Sequence, residues 1–270
     1  MTTLESCRRK ELEDLADFIA TENGIGVPVN VVKIAEDNGI SYCLNDYQDY
    51  FDGMLECEDG YFHIYINNRG RFSINTPRIR FSFAHELGHY FIDEHRLVLE
   101  EGKSLHHPSK YTFSEQRDPV EKEADYFASC LLMPRSVFGK ECGGKFSFEK
   151  LEVLRKRFGT SLPATASRYM EMGPVPIALV CAEKGKVRYK LFSNDFPYKR
   201  LKTDYSERVP PLTCSGDYFE NGVVCGETEL VDAQEWFQTY DNLQGMKVRE
   251  HCVYQELYGQ TLSILWFDSD

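Results

Sequence analysis

Two histidines, His85 and His89, stand four residues apart in the apolar run Phe81–Phe91, with Glu86 and Gly88 between them. On a helix, residues at i and i+4 leave from one face, one turn apart. Both imidazoles then reach one point and suit a single zinc ion. Glu86 falls about 100° further round the same helix. Its carboxylate would stand beside such an ion, placed to take a proton from water. Gly88 has no side chain, so a neighbouring element can come close there. The competing reading is a surface helix that carries His and Glu by coincidence. The helical context and a further ligand candidate downstream argue against it.

A hydrolytic zinc site has three protein ligands and an open position. Asp118-Pro119-Val120-Glu121 opens a helix that runs to about Met133, before Pro134. On its wheel Val120, Ala124, Phe127, Ala128 and Leu131 form the buried stripe. Glu121 lies at the edge of that stripe and is the expected third ligand. Glu123, on the other flank, is the competitor. Glu121 also fits a capping box with Asp118, which would give it a role in the helix alone. Asp125, one turn on, is expected to accept a hydrogen bond from a ligand imidazole. Ala124 and Ala128 are small enough to let this helix pack against Gly88. His95 falls away from the His85/His89 stripe and is not expected to be a ligand. The polar stretch 97–117 reads as a loop over the site. His106 and His107 in it are candidates for gating the open position or stabilising an oxyanion, and Tyr90 and Tyr111 are further oxyanion candidates. Solvated loop residues are the plain alternative for both histidines.

The rest of the chain reads in order. Residues 4–22 repeat apolar positions at helical spacing, and Pro28 can open a second helix, Val29 to Asn38. Ile40–Leu44 reads as a strand. Gly53–Cys57 and Tyr61–Ile66 flank Glu58-Asp59-Gly60 as a hairpin, with Phe62, Ile64 and Ile66 on one side. The strand Phe62–Ile66 is the expected sheet edge for an extended substrate. Thr76 can cap the helix that begins at Pro77. Residues 147–172 read as two helices with helix-turn-helix spacing, but the second offers only Arg168 as a basic residue. A DNA-reading helix needs more, so packing or substrate docking is expected instead. After Pro174-Val175-Pro176 the pattern turns to strands: 177–182, 187–192, 222–225, 248–254 and 261–267.

The motifs resemble the ImmA/IrrE family of zinc metallopeptidases. The resemblance lies in His85-Glu86-Leu87-Gly88-His89, the preceding Arg78-Ile79-Arg80-Phe81, the Asp52-Gly53-Met54-Leu55 strand, and Glu121-x-Glu123-Ala124-Asp125-x-Phe127-Ala128 through Leu131-Leu132-Met133-Pro134. It covers about residues 10–172. It implies a gluzincin-like core with His85, His89 and Glu121 on zinc and Glu86 as general base. Members of the family cleave a helix-turn-helix transcriptional repressor inside the cell and so derepress stress-response, defence or mobile-element genes. The tail resembles, weakly, the sensor-like GAF-type region of some members, where a small-molecule or nucleic-acid signal would act. The expected fold is therefore α+β: a zincin-like metallopeptidase core (1–145), a helix-turn-helix-like segment (146–173) and a β-rich, GAF-like sensor domain (174–270).

Composition narrows the function classes. The apolar fraction of 42% supports a real core, and the formal net charge is -12. So acidic a chain is a poor non-specific nucleic-acid binder and suits a basic partner. No apolar run approaches membrane-spanning length, and the N-terminus has no secretory pattern. The nine cysteines are scattered with no C-x-x-C pair. They read as reduced thiols in a cytoplasmic protein. Two other functions compete with a protease. One is a non-cleaving zinc protein that binds and regulates a transcription factor, which would have no need of Glu86. The other is a direct DNA-binding regulator, which the charge disfavours.

Overall fold

The computed structural model describes residues 4–22, 26–70, 72–102, 118–239 and 242–268. The fold is mixed α+β, in two compact units: residues 1–141 with 153–164, and residues 142–152 with 165–270.

The first unit begins with helices α1 (Ser6–Glu22) and α2 (Val31–Asp37). Leu12, Ala16 and Ile19 form the buried face of α1. Asn30 caps α2 by accepting from the Lys33 N–H at 3.1 Å. Such a cap contributes about 1 kcal/mol. Strands β1 (Ser41–Asn45), β2 (Gly53–Glu58) and β3 (Tyr61–Asn67) follow. Asp59 and Gly60 both have positive φ, 50° and 80°, which the two-residue hairpin between β2 and β3 requires. Ile64 and Ile66 are buried on one face of β3, as the alternation predicts.

The sheet order is β1-β3-β2, with β1 parallel and β2 antiparallel to β3. This corrects the expected substrate edge. Phe62–Ile66 lies in the central strand, whose hydrogen-bonding groups are taken on both sides. The strands with an outer side are β1 and β2, because the hairpin folds β2 back on one side of β3 and β1 pairs with the other.

Helix α3 (Pro77–Phe91) is buried on nearly every side, from Ile79 to Gly88 and His89. Thr76 precedes it, but its hydroxyl donates to the Ser73 carbonyl at 2.9 Å instead of capping the helix. Arg80 is buried and donates to the carbonyls of Val29 and Gly159 at 2.9 and 3.2 Å. Arg78 pairs with the buried Asp52. That pair ties the residue before β2 to the start of α3. The helix stops at Ile92, whose ψ of 109° is extended, and α4 (Asp93–Glu100) starts afresh. Next come α5 (Pro119–Leu132), capped by Asp118 accepting from the Val120 N–H at 3.0 Å, and α6 (Arg135–Glu141). Phe83 and Leu87 of α3, Phe127 and Leu131 of α5, and Leu12 and Ala16 of α1 share one apolar core with β3.

Helices α7 (Phe148–Phe158) and α8 (Leu162–Met172) each contribute residues to both units. Arg168 of α8 is buried and bonded to Glu171 at 2.9 Å. The one basic side chain of that helix is thus spent inside the protein.

The second unit carries an antiparallel sheet of β4 (Ile177–Glu183), β5 (Lys186–Phe192), β6 (Glu229–Asp232), β7 (Lys247–Gln255) and β8 (Gln260–Trp266), in the order β5-β4-β8-β7-β6. Helix α9 (Cys214–Asn221) and the short α10 (Ala233–Trp236) complete it. The expected strand at 222–225 is absent. Gly222, at φ 70°, ends α9 in the left-handed conformation, and Val223 and Val224 are exposed. The apolar spelling of those residues is not a sign of burial. Glu250 sits wholly buried in this unit. It accepts from the backbone N–H groups of Cys214 and Ser215 (3.0 and 3.2 Å), the Trp236 indole (2.9 Å) and the Ser263 hydroxyl (2.7 Å). Burial pushes its pKa up, against four hydrogen bonds that favour the carboxylate. Glu250→Leu strands four buried donors at once. It should destabilise the protein by about 3–5 kcal/mol, read as a lowered midpoint in urea unfolding. A change under about 1 kcal/mol would show that these bonds are not what holds α9 and α10 to the sheet.

Candidate metal centre

Helices α3 and α5 meet at Gly88. A Cβ placed there would come within 3.3 Å of the Ala124 Cα and 3.1 Å of the Phe127 ring. A side chain at 88 would crowd the Phe127 ring and the Ala124 backbone. The close approach sets one turn of α3 beside the first turns of α5. It brings His85, His89 and Glu121 together, one donor atom from each lying within 4.8 Å of the others.

The three donors converge closely. His85 Nε2 and His89 Nε2 are 3.1 Å apart. Glu121 Oε2 is 3.3 Å from His85 Nε2, and its Oε1 is 3.5 Å from His89 Nε2. A tetrahedral ion bonded at about 2.0–2.1 Å sets neighbouring ligand atoms about 3.3 Å apart. The observed edges have that size. The chemistry of the donors agrees. His85 donates from Nδ1 to Asp125 Oδ1 at 2.9 Å, so a neutral imidazole presents the lone pair of Nε2 inward. Two imidazole nitrogens and a carboxylate facing one point, with both histidines buried, suit a divalent cation.

Charge points the same way. Burial works against a proton on His85, but hydrogen bonds to Asp125 and Glu121 outweigh it and raise the pKa to about 10. Burial also opposes charge on Glu121, yet His85 and His89 hold its carboxyl well below the usual range. The cluster of acids keeps a positive charge at its centre. A metal ion meets that demand, and it must displace a proton to do so.

Glu86 is buried on the same helix, against the start of β2. A Cβ on Gly53 would fall 2.5 Å from Glu86 Oε1. Glycine at 53 therefore makes room for the carboxylate.

Glu123, the competing ligand candidate, points elsewhere. Its Oε2 accepts from Arg8 at 2.7 and 3.0 Å and lies 3.4 Å from His95 Nε2. His95 itself is buried, with Nδ1 3.1 Å from His89 Nδ1. On an unbroken helix, six residues would carry it about 240° round from His89. The break at Ile92 turns it back. Burial, with the charges of His89 and Arg8, pushes its pKa down to about 3, so it stays neutral. The Asp93-Glu94 start of a new helix after Ile92 was the available sign, since acids favour a helix N-terminus. Tyr90 packs edge-on against Phe62 and Phe91, with Arg96 over its ring. His106, His107 and Tyr111 lie outside the described residues.

Comparison with known proteins follows this geometry. Residues 64–170 match the IrrE N-terminal-like domain of peptidase family M78. The family is one of metallopeptidases, and both motif helices lie inside the matched stretch. This is the ImmA/IrrE family that the motifs resemble. Among curated proteins there is no match. Among solved structures, a Mycobacterium tuberculosis transcriptional regulator is similar at 14% identity and a TM-score of 0.58, covering 95% of this chain and 76% of that one. At that identity the likeness concerns the fold alone.

Ligand identity is testable directly. In a stoichiometric zinc titration, Glu121→Ala should lose the single bound ion that the three-ligand rule expects, and Glu123→Ala should keep it. The reverse outcome would overturn the assignment. Calorimetry in buffers of different ionisation enthalpy should show proton release on binding near neutral pH, because His85 holds a proton until its pKa of about 10 in the metal-free site.

Proposed function

We propose that this chain is a zinc-dependent endopeptidase that cleaves a helix-turn-helix transcriptional repressor and so derepresses stress-response, defence or mobile-element genes. The observation that carries the reading is the convergence of His85, His89 and Glu121 on one point with Glu86 on the same helix. The M78 match over residues 64–170 supports it. A zincin-like core for the first unit accords with these helices and the small sheet.

Zinc held by His85, His89 and Glu121 would supply Lewis-acid polarisation of the scissile carbonyl and make water more acidic. Glu86 takes the proton of the attacking water and returns it to the leaving amide nitrogen. Gly53 leaves the Glu86 carboxylate room to stand inward. Asp125 fixes the His85 ring through Nδ1, so that Nε2 faces inward. His106 and His107 remain proposed for gating or for the oxyanion. An extended peptide would add to the outer side of β2, the edge strand whose first residue lies against Glu86.

The partner would be basic, as DNA-binding repressors are, and the net charge of -12 favours its approach. Nine free thiols suit a reducing, cytoplasmic setting. Among the described residues no helix is long and apolar enough to cross a membrane. The antiparallel sheet of the second unit is proposed as a GAF-like sensor. An open cavity of about 460 Å³ beside Tyr198, Leu230, Met246, Lys247, Arg249 and Phe267 is where a small-molecule signal would be sought.

A non-cleaving zinc protein that binds a transcription factor is the competing function. The test incubates the purified, zinc-loaded protein with small basic helix-turn-helix repressors and reads peptide products by mass spectrometry. Glu86→Gln should keep zinc and partner binding but lose cleavage by about 10²-fold or more. Wild-type cleavage by Glu86→Gln would sink the mechanism, and partner binding without any cleavage by the wild type would favour the competing function. Gly53→Ala, which crowds the Glu86 carboxylate, should keep zinc and slow cleavage by up to about 10²-fold.

A further inference from the structure

We propose that His95 is a positioning residue for the metal ligand His89, at the inner end of a chain His89–His95–Glu123–Arg8 that fixes which nitrogen of His89 is bare. The inference rests on the metal reading above and adds a role for three residues that the reading does not use.

The geometry is specific. His89 Nδ1 and His95 Nδ1 face each other at 3.1 Å. At that distance one carries a proton and the other accepts it. His89 Nε2 points the other way, toward His85 Nε2 and Glu121 Oε1. A metal ion there needs Nε2 bare, so the proton of neutral His89 must sit on Nδ1. His95 must then accept at Nδ1 and carry its own proton on Nε2. That Nε2 faces Glu123 Oε2 at 3.4 Å. The same oxygen takes two N–H groups of Arg8, from Nε and Nη2 at 3.0 and 2.7 Å. Arg8 is steadied in turn by Glu94 at 3.1 Å. The acid at the end of the chain is thus held by Arg8, with the Nε2 edge of His95 turned toward it at 3.4 Å.

The chain gives His89 what Asp125 gives His85, by a different route. Asp125 accepts directly from Nδ1 of His85. For His89 a neutral imidazole stands between the ligand and the carboxylate. Both His89 and His95 are buried, so neither ring can turn to water for a substitute partner. The break at Ile92 is what makes the arrangement reachable, because α4 restarts in a new direction and carries His95 back to His89.

The test compares zinc affinity by chelator competition for wild type, His95→Leu and His95→Asn. The Asn side-chain oxygen can accept where Nδ1 accepts, whereas Leu fills the space and accepts nothing. His95→Leu should weaken zinc by about 10–100-fold, and the unfolding midpoint of the metal-free protein should fall with it, because His89 Nδ1 loses its buried partner. His95→Asn should recover most of that loss. Equal affinity for wild type and His95→Leu would overturn the proposal, and so would His95→Asn as weak as His95→Leu, which marks a packing role. If wild type itself binds no zinc, the metal reading falls and takes this proposal with it, and the wild-type arm alone reports that. Nitrogen-15 NMR of the zinc-loaded wild type tests the same point without substitution. It should show protons on His89 Nδ1 and His95 Nε2; a proton on His95 Nδ1 would overturn the chain.

Discussion

The close contact of α3 and α5 at Gly88 and Ala124 is what the candidate centre depends on. Each helix alone carries an incomplete set of donors. His85 and His89 share one turn of α3, and Glu121 opens α5. Helix axes usually stand 8–10 Å apart, with the distance set by the side chains between them. A glycine facing an alanine lies at the small end of that range. The carboxylate of Glu121 can therefore reach both imidazoles at once. A methyl group at 88 meets the Phe127 ring and, at 3.3 Å, the Ala124 backbone, and any relief that the ring does not give must come from a shift of α5.

A helix buried on nearly all sides should be apolar, yet α3 carries Arg80, His85, Glu86 and His89. Burying ionisable groups costs several kcal/mol each unless they are paired and hydrogen-bonded. Arg80 is accounted for by the carbonyls of Val29 and Gly159 and serves the fold. The two histidines are accounted for by each other, by Asp125, by His95 and by Glu121. That second group is arranged around a point rather than along a surface. A stability role alone gives no reason to aim two imidazole nitrogens at the same spot 3.1 Å apart.

Much of this was legible in the sequence, for physical reasons that differ by element. His85, Glu86 and His89 are local, and helix periodicity fixes their relation without knowledge of the fold. Glu121 and the Gly88–Ala124 contact were legible because small residues and a wheel edge constrain how two helices meet. The hairpin was written in Asp59-Gly60. Other features depend on pairings that no local pattern encodes. That β3 is central follows from β1 joining it in parallel across the loop that contains β2. His95 was misplaced because one residue, Ile92, leaves the helix and resets the angular count. The strand expected at 222–225 was only an apolar run. Thr76 and Asp118 look alike as caps, yet only Asp118 bonds to its helix, since the Thr76 hydroxyl finds a nearer carbonyl at Ser73.

The charge distribution links the site to the kind of partner it suits. Around the donor point stand Glu86, Glu121 and Asp125, with Glu123 one step further out. Of these, Glu123 alone has a fixed arginine among the contacts described, and Arg8 belongs to that outer position. Glu121 lies beside both imidazoles and Asp125 beside that of His85. Beyond the site the excess of acid continues over the chain, at -12 in all. The helix best spaced to read DNA has its arginine folded inward on Glu171. A phosphate backbone would meet repulsion here, whereas a protein that itself binds DNA offers the opposite charge. Regulation through such a protein, rather than through DNA, is what the proposed function holds, and the net charge of -12 agrees with it.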